Sequence, residues 1–312
     1  MTPLLSHTPI RCFGGIGLVL LSFPGSLNAQ FTDPRAYDSA AVGTNQLELG
    51  YVYARANASI DTSLVVGSAE LNLNQGTIDY SRYFSLIHRV AWVEAILPFA
   101  RLDGSVTGAN IAGSTIGLGD SSYELSILLK GAPALSAAQF ANYKPATIVG
   151  LSLTVTAPTG RYDADRILNL GSDRWAFKPE VALSHPFGPG QKWEFDAYGN
   201  AYFFTDNKAY HGVEILRQLP LAGIEGHISY SFTPSVSASF DTRYSFAGET
   251  FVDGVNQGNA QQNLILGSEL TVSPGSQNNY LVLEFGKGLV HRNGPAYTGI
   301  GVRYVFSWVR TR

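Results

Sequence analysis

Apolar and polar residues alternate one by one along most of the chain after residue 45. In residues 236–246 every even position except Thr242 is apolar or aromatic, whereas every odd position is serine, aspartate or arginine. Residues 224–232 and 300–308 repeat the alternation with few exceptions. A period of two residues is that of a β-strand whose two faces meet different surroundings. The pattern therefore predicts an all-β fold.

Twelve segments of about ten residues each carry this alternation. They lie at residues 46–55, 76–84, 89–98, 121–130, 146–157, 175–184, 192–204, 223–233, 235–247, 262–273, 279–289 and 296–309. Long connections such as residues 56–75 alternate with short ones such as Thr233–Ser235, and Gly131–Pro145 is an exception because it is too long for a tight turn. An even number of strands with short turns at one end and long loops at the other is typical of outer-membrane barrels. We expect a transmembrane antiparallel β-barrel of about 12 strands, with short periplasmic turns and long extracellular loops.

The positions of the aromatic residues separate this barrel from a soluble β-sandwich, which strand alternation alone also allows. Aromatic side chains gather near both ends of the segments and leave smaller residues between them. Those near the short turns are Trp193, Phe195, Tyr230, Phe232, Phe306 and Trp308, and those near the long loops are Tyr51, Tyr53, Tyr244, Phe246 and Phe285. Two aromatic girdles around an aliphatic belt match the two interfaces of a bilayer.

Two prolines have a structural interpretation. Pro158 precedes Thr159 and Gly160 and is expected to end a strand, because proline cannot donate to the ladder. Pro179 lies inside a predicted strand, where it predicts a bulge or a lost hydrogen bond.

The first thirty residues have the order of a secretory signal. Arg11 precedes the short apolar run Phe13–Leu21, and Pro24-Gly25 and then Ser26–Ala29, which ends in a small residue, follow. A membrane anchor needs about 20 apolar residues, more than this run supplies. The sequence therefore predicts a signal peptide at residues 1–29, an N-terminal periplasmic segment at 30–45 and the barrel at 46–312, located in the outer membrane of a Gram-negative bacterium.

Composition narrows the chemistry. Charged residues make up 14% of the 312 residues, against roughly 25% in average soluble domains, and apolar residues make up 45%, too many for a disordered chain. The formal net charge is -3, so a nucleic-acid partner is not expected. The one cysteine, Cys12, lies in the predicted signal peptide, which excludes a disulfide, a thiol nucleophile and a cysteine-ligated metal from the mature protein. We expect no cofactor and no metal.

The polar faces of the segments are expected to line a lumen if the apolar faces meet lipid. The candidate pore-lining residues along a substrate path are Glu194, Asp196, Tyr198, Asn200, Tyr202, Glu225, His227, Ser229, Asp241, Arg243, Glu269, Glu284 and Arg303. Acidic residues exceed basic ones, which favours cations or neutral solutes. The alternative is that pairs such as Glu284 with Arg303, or Asp241 with a neighbouring base, only neutralise buried charge.

These features predict passive transport of small molecules across the outer membrane and no enzymatic activity. One alternative is a structural or adhesive barrel with a plugged lumen. Another is a barrel hydrolase based on His227 and Ser229, which project to one face; the alternation turns both toward the lumen, whereas such enzymes act at the lipid-facing surface. The expected partners are outer-membrane lipids, a small-molecule solute and, because Tyr304, Phe306 and Trp308 resemble a C-terminal recognition signal, the barrel assembly machinery.

Several short motifs resemble a known family. They are Asp33–Tyr37, Gly43–Tyr51, Gly117–Asp120, Leu153–Gly160 and Gly171–Glu180. Their order resembles that of the outer-membrane transporters named for a MetA pathway of phenol degradation, and the resemblance covers nearly the whole mature chain. It implies an outer-membrane pore for small aromatic or hydrophobic compounds.

Overall fold

The computed structural model describes residues 32–58, 69–106, 111–166, 168–273, 278–293 and 296–310. The predicted signal peptide, residues 1–29, lies outside the described residues. In chain order the strands and the helix are β1 (Thr44–Ala58), β2 (Ala69–Leu86), β3 (Arg89–Val106), β4 (Ile111–Leu118), β5 (Ser121–Lys130), α1 (Ala137–Phe140), β6 (Ile148–Ala157), β7 (Ala176–Phe187), β8 (Trp193–Phe204), β9 (Asn207–Tyr210), β10 (Glu214–Gln218), β11 (Leu221–Thr233), β12 (Val236–Ala247), β13 (Thr250–Val252), β14 (Val255–Asn256), β15 (Gln261–Val272), β16 (Asn279–Arg292) and β17 (Ala296–Val309).

The twelve segments predicted from the sequence are the twelve strands of a closed antiparallel barrel, which confirms the fold class. They are β1, β2, β3, β5, β6, β7, β8, β11, β12, β15, β16 and β17. The first and last strands close the cylinder, with Thr44 opposite Val309 and Asn57 opposite Ala296. Closure pairs the two edge strands with each other, so neither leaves an open ladder.

Polar residues point into the barrel and apolar residues point outward. On β6, Ser152 is 7% exposed while its neighbour Leu153 is 45% exposed, and Thr154 is again buried. The girdle residues Trp193, Phe232, Phe306 and Trp308 are exposed in the same way. This orientation is the reverse of a soluble sandwich, whose apolar faces meet inside, and it is the arrangement of a barrel in lipid.

The expected difference between the two ends is present. Strands β2 and β3 are joined through Ile87 and His88, which both have positive φ angles (46° and 61°), as a two-residue hairpin turn of the primed type requires. The connection Gly131–Pro145, the exception noted in the sequence, lies at this same end, where Pro133 forms a bridge with Arg89, and it contains α1, whose capping box is formed by Ser136 and Gln139. The long loops at the other end include those that contain β9, β10, β13 and β14. No helix among the described residues is both long enough and apolar enough to cross a bilayer.

Strand β4 and a second sheet were not predicted. The outer half of β3 pairs with β4, from Phe99 opposite Leu118 onward, while its inner half pairs with β5. Two of the long loops form a separate four-stranded sheet in the order β14-β13-β10-β9. These strands escaped detection because β9, β10, β13 and β14 have five residues or fewer, too few to repeat an alternation, and β4 contains two glycines.

Pro179 interrupts one ladder without shifting it. Between β7 and β8 the pairing continues from Phe177 opposite Phe203 to Glu180 opposite Asn200, and the intervening pairs are missing. The number of residues skipped is equal on both strands, so there is no bulge. The lost-hydrogen-bond interpretation is therefore the one that holds.

Candidate functional site

All thirteen predicted pore-lining side chains lie on the inward face of the barrel wall. Ten of them are buried: Glu194, Asp196, Tyr198, Tyr202, Glu225, His227, Ser229, Asp241, Glu269 and Arg303. Asn200, Arg243 and Glu284 are half-buried. Intervening residues such as Phe195, Ile228 and Phe240 are exposed on the outside. The alternation therefore placed each candidate on the correct face, and their role in a substrate path stays a prediction.

The described part of the N-terminal segment, residues 32–43, enters the lumen instead of staying in the periplasm as expected for residues 30–45. The segment joins β1 at the periplasmic end of the barrel. There the Val42 amide donates to Leu135 O (2.8 Å) and the Gly43 amide donates to Tyr83 O (3.0 Å). The segment enters because the inward wall offers polar partners for its backbone and side chains. The Arg35 amide, for example, donates to Asp196 at 3.2 Å.

Arg303 on β17 is the centre of the first charge cluster. Its guanidinium contacts Asp33 of the N-terminal segment, Glu48 at 3.3 Å, Glu269 at 3.1 Å and Glu284 at 3.3 Å. The expected pairing of Glu284 with Arg303 is therefore present. Four carboxylates surround one guanidinium, and these contacts hold Arg303 in place.

A second cluster holds the tip of the N-terminal segment. The Thr32 hydroxyl donates to Glu180 at 2.8 Å, and its amide donates to Glu225 at 3.0 Å. Lys178 forms an ion pair with Glu180 (3.4 Å), and Arg243 forms one with Glu225 (3.5 Å). The tip is thus bound by hydrogen bonds and charges that water could replace, since none of these contacts buries a large apolar surface.

An aromatic cluster near the periplasmic end holds Tyr37. Its ring lies 5.7 Å from the Trp92 ring and 5.3 Å from the Tyr198 ring, measured between centroids. Tyr37 is 1% exposed and packs in one apolar cluster with Leu128 and Ile148. Among the described residues, the barrel lumen is therefore filled partly by a tethered segment and not only by wall side chains.

Four half-buried carboxylates lie together on the inward wall, on strands next to those that contact Tyr37 and Asp33 or on the same strands. Glu48 lies opposite Asp79, and Glu94 lies opposite Glu124, on the neighbouring strands β1, β2, β3 and β5. Thr154 donates to Glu124 at 2.7 Å. These inward side chains stay partly exposed, whereas Glu180 and Glu225 on β7 and β11 are buried.

A small cavity of about 40 Å³ adjoins the first cluster on its extracellular side. It is lined by Asp33, Glu284, Arg243, Ile265 and Tyr297, together with further wall residues. Oxygens of Asp33, Glu269 and Glu284 lie within 4.8 Å of one another, a spacing compatible with a metal ion. Arg303 already occupies the centre of that group, so its positive charge takes the place that a cation would need.

His227 is oriented by Asp241, since its Nδ1 lies 2.8 Å from Asp241 Oδ1 across the β11–β12 pair. Ser229 Oγ and His227 Nε2 are buried and have no hydrogen-bond partner among the described residues. The expected inward direction of His227 and Ser229 is correct. The two side chains lack the hydrogen bond to each other that an activated serine nucleophile requires.

The extracellular mouth is held by two buried charges on loops. Asp120 accepts the Gly160 amide at 2.8 Å and the Ser172 hydroxyl at 2.7 Å, and burial raises the pKa of its carboxyl. Arg174 stacks over the Phe204 ring at 4.4 Å and donates to Gln218 at 2.6 Å. Burial lowers the pKa of the Arg174 guanidinium to about 10. These contacts tie the loop after β6 to the barrel and to the extracellular sheet.

Comparison with known proteins agrees with this geometry. A family profile described as "Putative MetA-pathway of phenol degradation" matches residues 54–304. The chain belongs to this family. Its structure is similar to that of an outer-membrane channel from Pseudomonas putida F1, with 24% identity, a TM-score of 0.77 and coverage of 89% of this chain and 100% of the other.

A second solved structure with a similar barrel is the transport unit of the autotransporter AIDA-I from Escherichia coli. It shares 9% identity with this family member, with a TM-score of 0.52 and coverage of 90% of this chain and 95% of the other. No curated protein matches the chain. At these identities the structural likenesses show the fold alone.

Sequence reasoning missed the part of the site that the N-terminal segment of this MetA-pathway family member supplies. Asp33, Arg35 and Tyr37 were noticed only as a motif shared with the family. That motif was the available signal, because residues that only span the periplasm need no defined aromatic or charged residues. Asp79 was also missed, since the alternation in β2 is among the weakest in the chain.

Proposed function

We propose that this protein is a passive outer-membrane channel for small molecules, and that aromatic or otherwise hydrophobic compounds are its solutes. The observation that carries the proposal is the way the lumen is filled. A tethered segment occupies it through hydrogen bonds and ion pairs at Thr32, Asp33 and Arg35, whereas a barrel with a purely structural role could close its lumen with wall side chains.

The chemistry of the lumen supports this range of solutes. Trp92, Tyr83 and Tyr198 place aromatic rings on the inward face of the barrel, and the half-buried carboxylates Glu48 and Glu124 lie on the same face of neighbouring strands. A path with both surfaces suits solutes that have an apolar body and a small polar group. The carboxylates favour cations over anions among charged species.

Conductance of the purified protein in planar bilayers tests the channel directly. We expect small, cation-preferring currents from the full mature chain, and larger currents from a variant that lacks residues before Val42. Heat-modifiable migration on gels serves as the control that both barrels are folded. Equal currents from both proteins would contradict a role for the segment in limiting flow.

Uptake into proteoliposomes tests the solute range. Aromatic compounds of about the size of toluene or phenol should enter faster than sugars of similar mass, relative to liposomes without protein. Equal acceleration of both classes would favour a general diffusion pore and overturn the aromatic part of the proposal.

A plugged structural or adhesive barrel is the second candidate. The observation that favours it is that the same segment lies in the lumen while two loops build an ordered extracellular sheet from β9, β10, β13 and β14. Such a barrel would pass no steady current even at high protein density, so the bilayer experiment separates the two functions. Export by the predicted signal peptide, contact with outer-membrane lipids and insertion by the barrel assembly machinery belong to both.

A further inference from the structure

Tyr37 sits in a socket whose aromatic and hydrogen-bonding residues all lie on barrel strands. Trp92 meets the ring edge-on, with an interplanar angle of 65°, and Tyr198 meets it at 54°. Tyr83 stacks on the far side of Trp92 at 5.3 Å and supports it. Edge-to-face and tilted contacts at these distances are the preferred geometries of aromatic pairs. The socket is therefore shaped for one flat ring.

The socket also has a polar end that fits a single hydroxyl. Tyr37 Oη lies 2.9 Å from Ser152 Oγ and 2.9 Å from Glu180 Oε1. A carboxylate can only accept, so the phenol proton is donated to Glu180 and the serine hydroxyl donates to the phenol oxygen. One donor and one acceptor are thus placed around one oxygen atom at the end of an apolar slot.

Gly150 provides the space for the ring. A Cβ atom at this position would lie 2.4 Å and 2.8 Å from two carbon atoms of the Tyr37 ring. Gly150 has no positive φ angle and is the third residue of β6, at a buried position on its inward face. The backbone conformation therefore does not require glycine, and the requirement is the ring beside it.

The occupant of the socket belongs to the N-terminal segment and not to the barrel wall. Tyr37 is the one aromatic residue in 32–43, and the residues before it are held by polar contacts such as Thr32 with Glu180 and Asp33 with Arg303. If the segment moves, the ring leaves and the socket stays, because Trp92, Tyr198, Ser152 and Glu180 all lie on barrel strands.

We propose that this socket is the solute-binding site of the channel, that its ligands are phenols, and that Tyr37 occupies it as a built-in competitor when the lumen is closed. This inference rests on the proposed channel function and adds a site and a chemical class to it. A neutral phenol reproduces the ring and the hydroxyl of Tyr37 and can replace them contact for contact.

The polar end of the socket is expected to distinguish a phenol from aromatic compounds that lack a hydroxyl group. Toluene fills the slot but makes no hydrogen bond to Ser152 or to Glu180, which keeps Lys178 and Asn200 as partners. A benzoate would bring a second carboxylate against Glu180. A hydrogen bond to a charged group contributes about 1.5 to 3 kcal/mol, so a phenol should bind at least about tenfold more tightly than the matching hydrocarbon.

The test uses p-cresol, which is the tyrosine side chain without its backbone, and toluene as its partner without the hydroxyl. Tyr37→Ala in the full mature chain empties the socket while leaving the rest of the segment. Titration calorimetry in detergent should show one p-cresol per Tyr37→Ala protein, at least tenfold weaker toluene binding, and at least tenfold weaker p-cresol binding to the wild type. Adding Gly150→Ala to Tyr37→Ala narrows the slot and should weaken p-cresol binding at least tenfold.

A second variant keeps the test decisive if Tyr37→Ala fails to form a heat-modifiable barrel. Tyr37→Phe preserves the ring and removes only the hydroxyl, so p-cresol should compete with the segment at about tenfold lower concentration than in the wild type. The readout is the p-cresol concentration at which bilayer conductance rises halfway. Toluene should show the same relative shift, but at concentrations at least tenfold higher than p-cresol in both proteins.

The inference is overturned if p-cresol and toluene bind Tyr37→Ala equally, or if Gly150→Ala leaves p-cresol binding unchanged. Either result, together with normal currents from the variant that lacks the segment, would support the channel function and contradict only the phenol site. If every variant binds p-cresol in the socket but passes no current, the channel function is contradicted and the phenol site is supported.

Discussion

The contact between Asp33 and Arg303 is expected to control how often the lumen opens. It joins the N-terminal segment to β17, and the same guanidinium also contacts Glu48, Glu269 and Glu284. Asp33→Asn removes the charge at this point and leaves a side chain of the same size. We expect the segment to leave the lumen more often, because Arg303 keeps three carboxylates and loses only the one that belongs to the segment.

The size of the effect follows from the structure. A hydrogen bond to a charged partner contributes about 1.5 to 3 kcal/mol when it is buried. The Asp33 side chain is 31% exposed and three other carboxylates already compensate Arg303, so a value near the lower end applies. A loss of about 1.4 kcal/mol corresponds to about a tenfold shift of the equilibrium between the closed and open lumen.

Single-channel recording measures this shift as the fraction of time spent in the larger conductance state. Asp163→Asn is the matched control, because Asp163 is half-exposed on an extracellular loop and pairs only with Arg166, at 3.0 Å, among the described basic residues. It makes the same change in net charge far from the segment. The reasoning is refuted if the two variants have the same open fraction, or if Asp33→Asn lowers it.

Three further predictions concern stability. Arg174 donates to the neutral side chain of Gln218 at 2.6 Å, and burial lowers the pKa of its guanidinium to about 10. Gln218→Glu places a carboxylate at this position, which should raise the pKa of Arg174 and stabilise the folded barrel by about 1 kcal/mol. The measurement is a higher midpoint of heat modification. Leu153→Arg puts a charge on the exposed outer face of β6 and should destabilise the barrel in lipid vesicles by about 2 to 4 kcal/mol in urea titrations. Asp120→Asn removes a charged acceptor from two loop amides and should cost about 1 to 3 kcal/mol locally, detected as faster proteolysis of the loop after β6.

Each of these stability predictions has a control in the chain. Gln257→Glu makes the same substitution in an exposed loop and should leave the midpoint of heat modification unchanged. An equal rise of the midpoint in Gln218→Glu and Gln257→Glu would show a general effect of charge. Glu249→Gln, near the extracellular sheet, controls for the loss of one loop carboxylate. Unchanged vesicle stability after Leu153→Arg would mean that this face does not meet lipid.

The alternation of apolar and polar residues was sufficient to predict the barrel and the direction of its side chains. Successive wall positions face the lumen and the lipid in turn, so a two-residue period encodes both the strand and its faces. His227, Glu225 and Arg303 were therefore placed inward by the sequence alone. The same argument could not detect β4 or the extracellular sheet, whose strands are short or lie outside the bilayer and carry no such period.

The sequence by itself determined which face of each strand meets lipid and which meets the lumen, because this is a local property repeated at every second residue. What only the tertiary structure decided was the content of the lumen. Tyr37 meets Ser152 and Glu180 across 115 and 143 residues of chain, and Asp33 meets Arg303 across 270. Contacts at such separations depend on barrel closure and on strand register, and no local pattern records them. Only the closed barrel brings together the polar partners and the aromatic socket that bind the N-terminal segment inside the lumen.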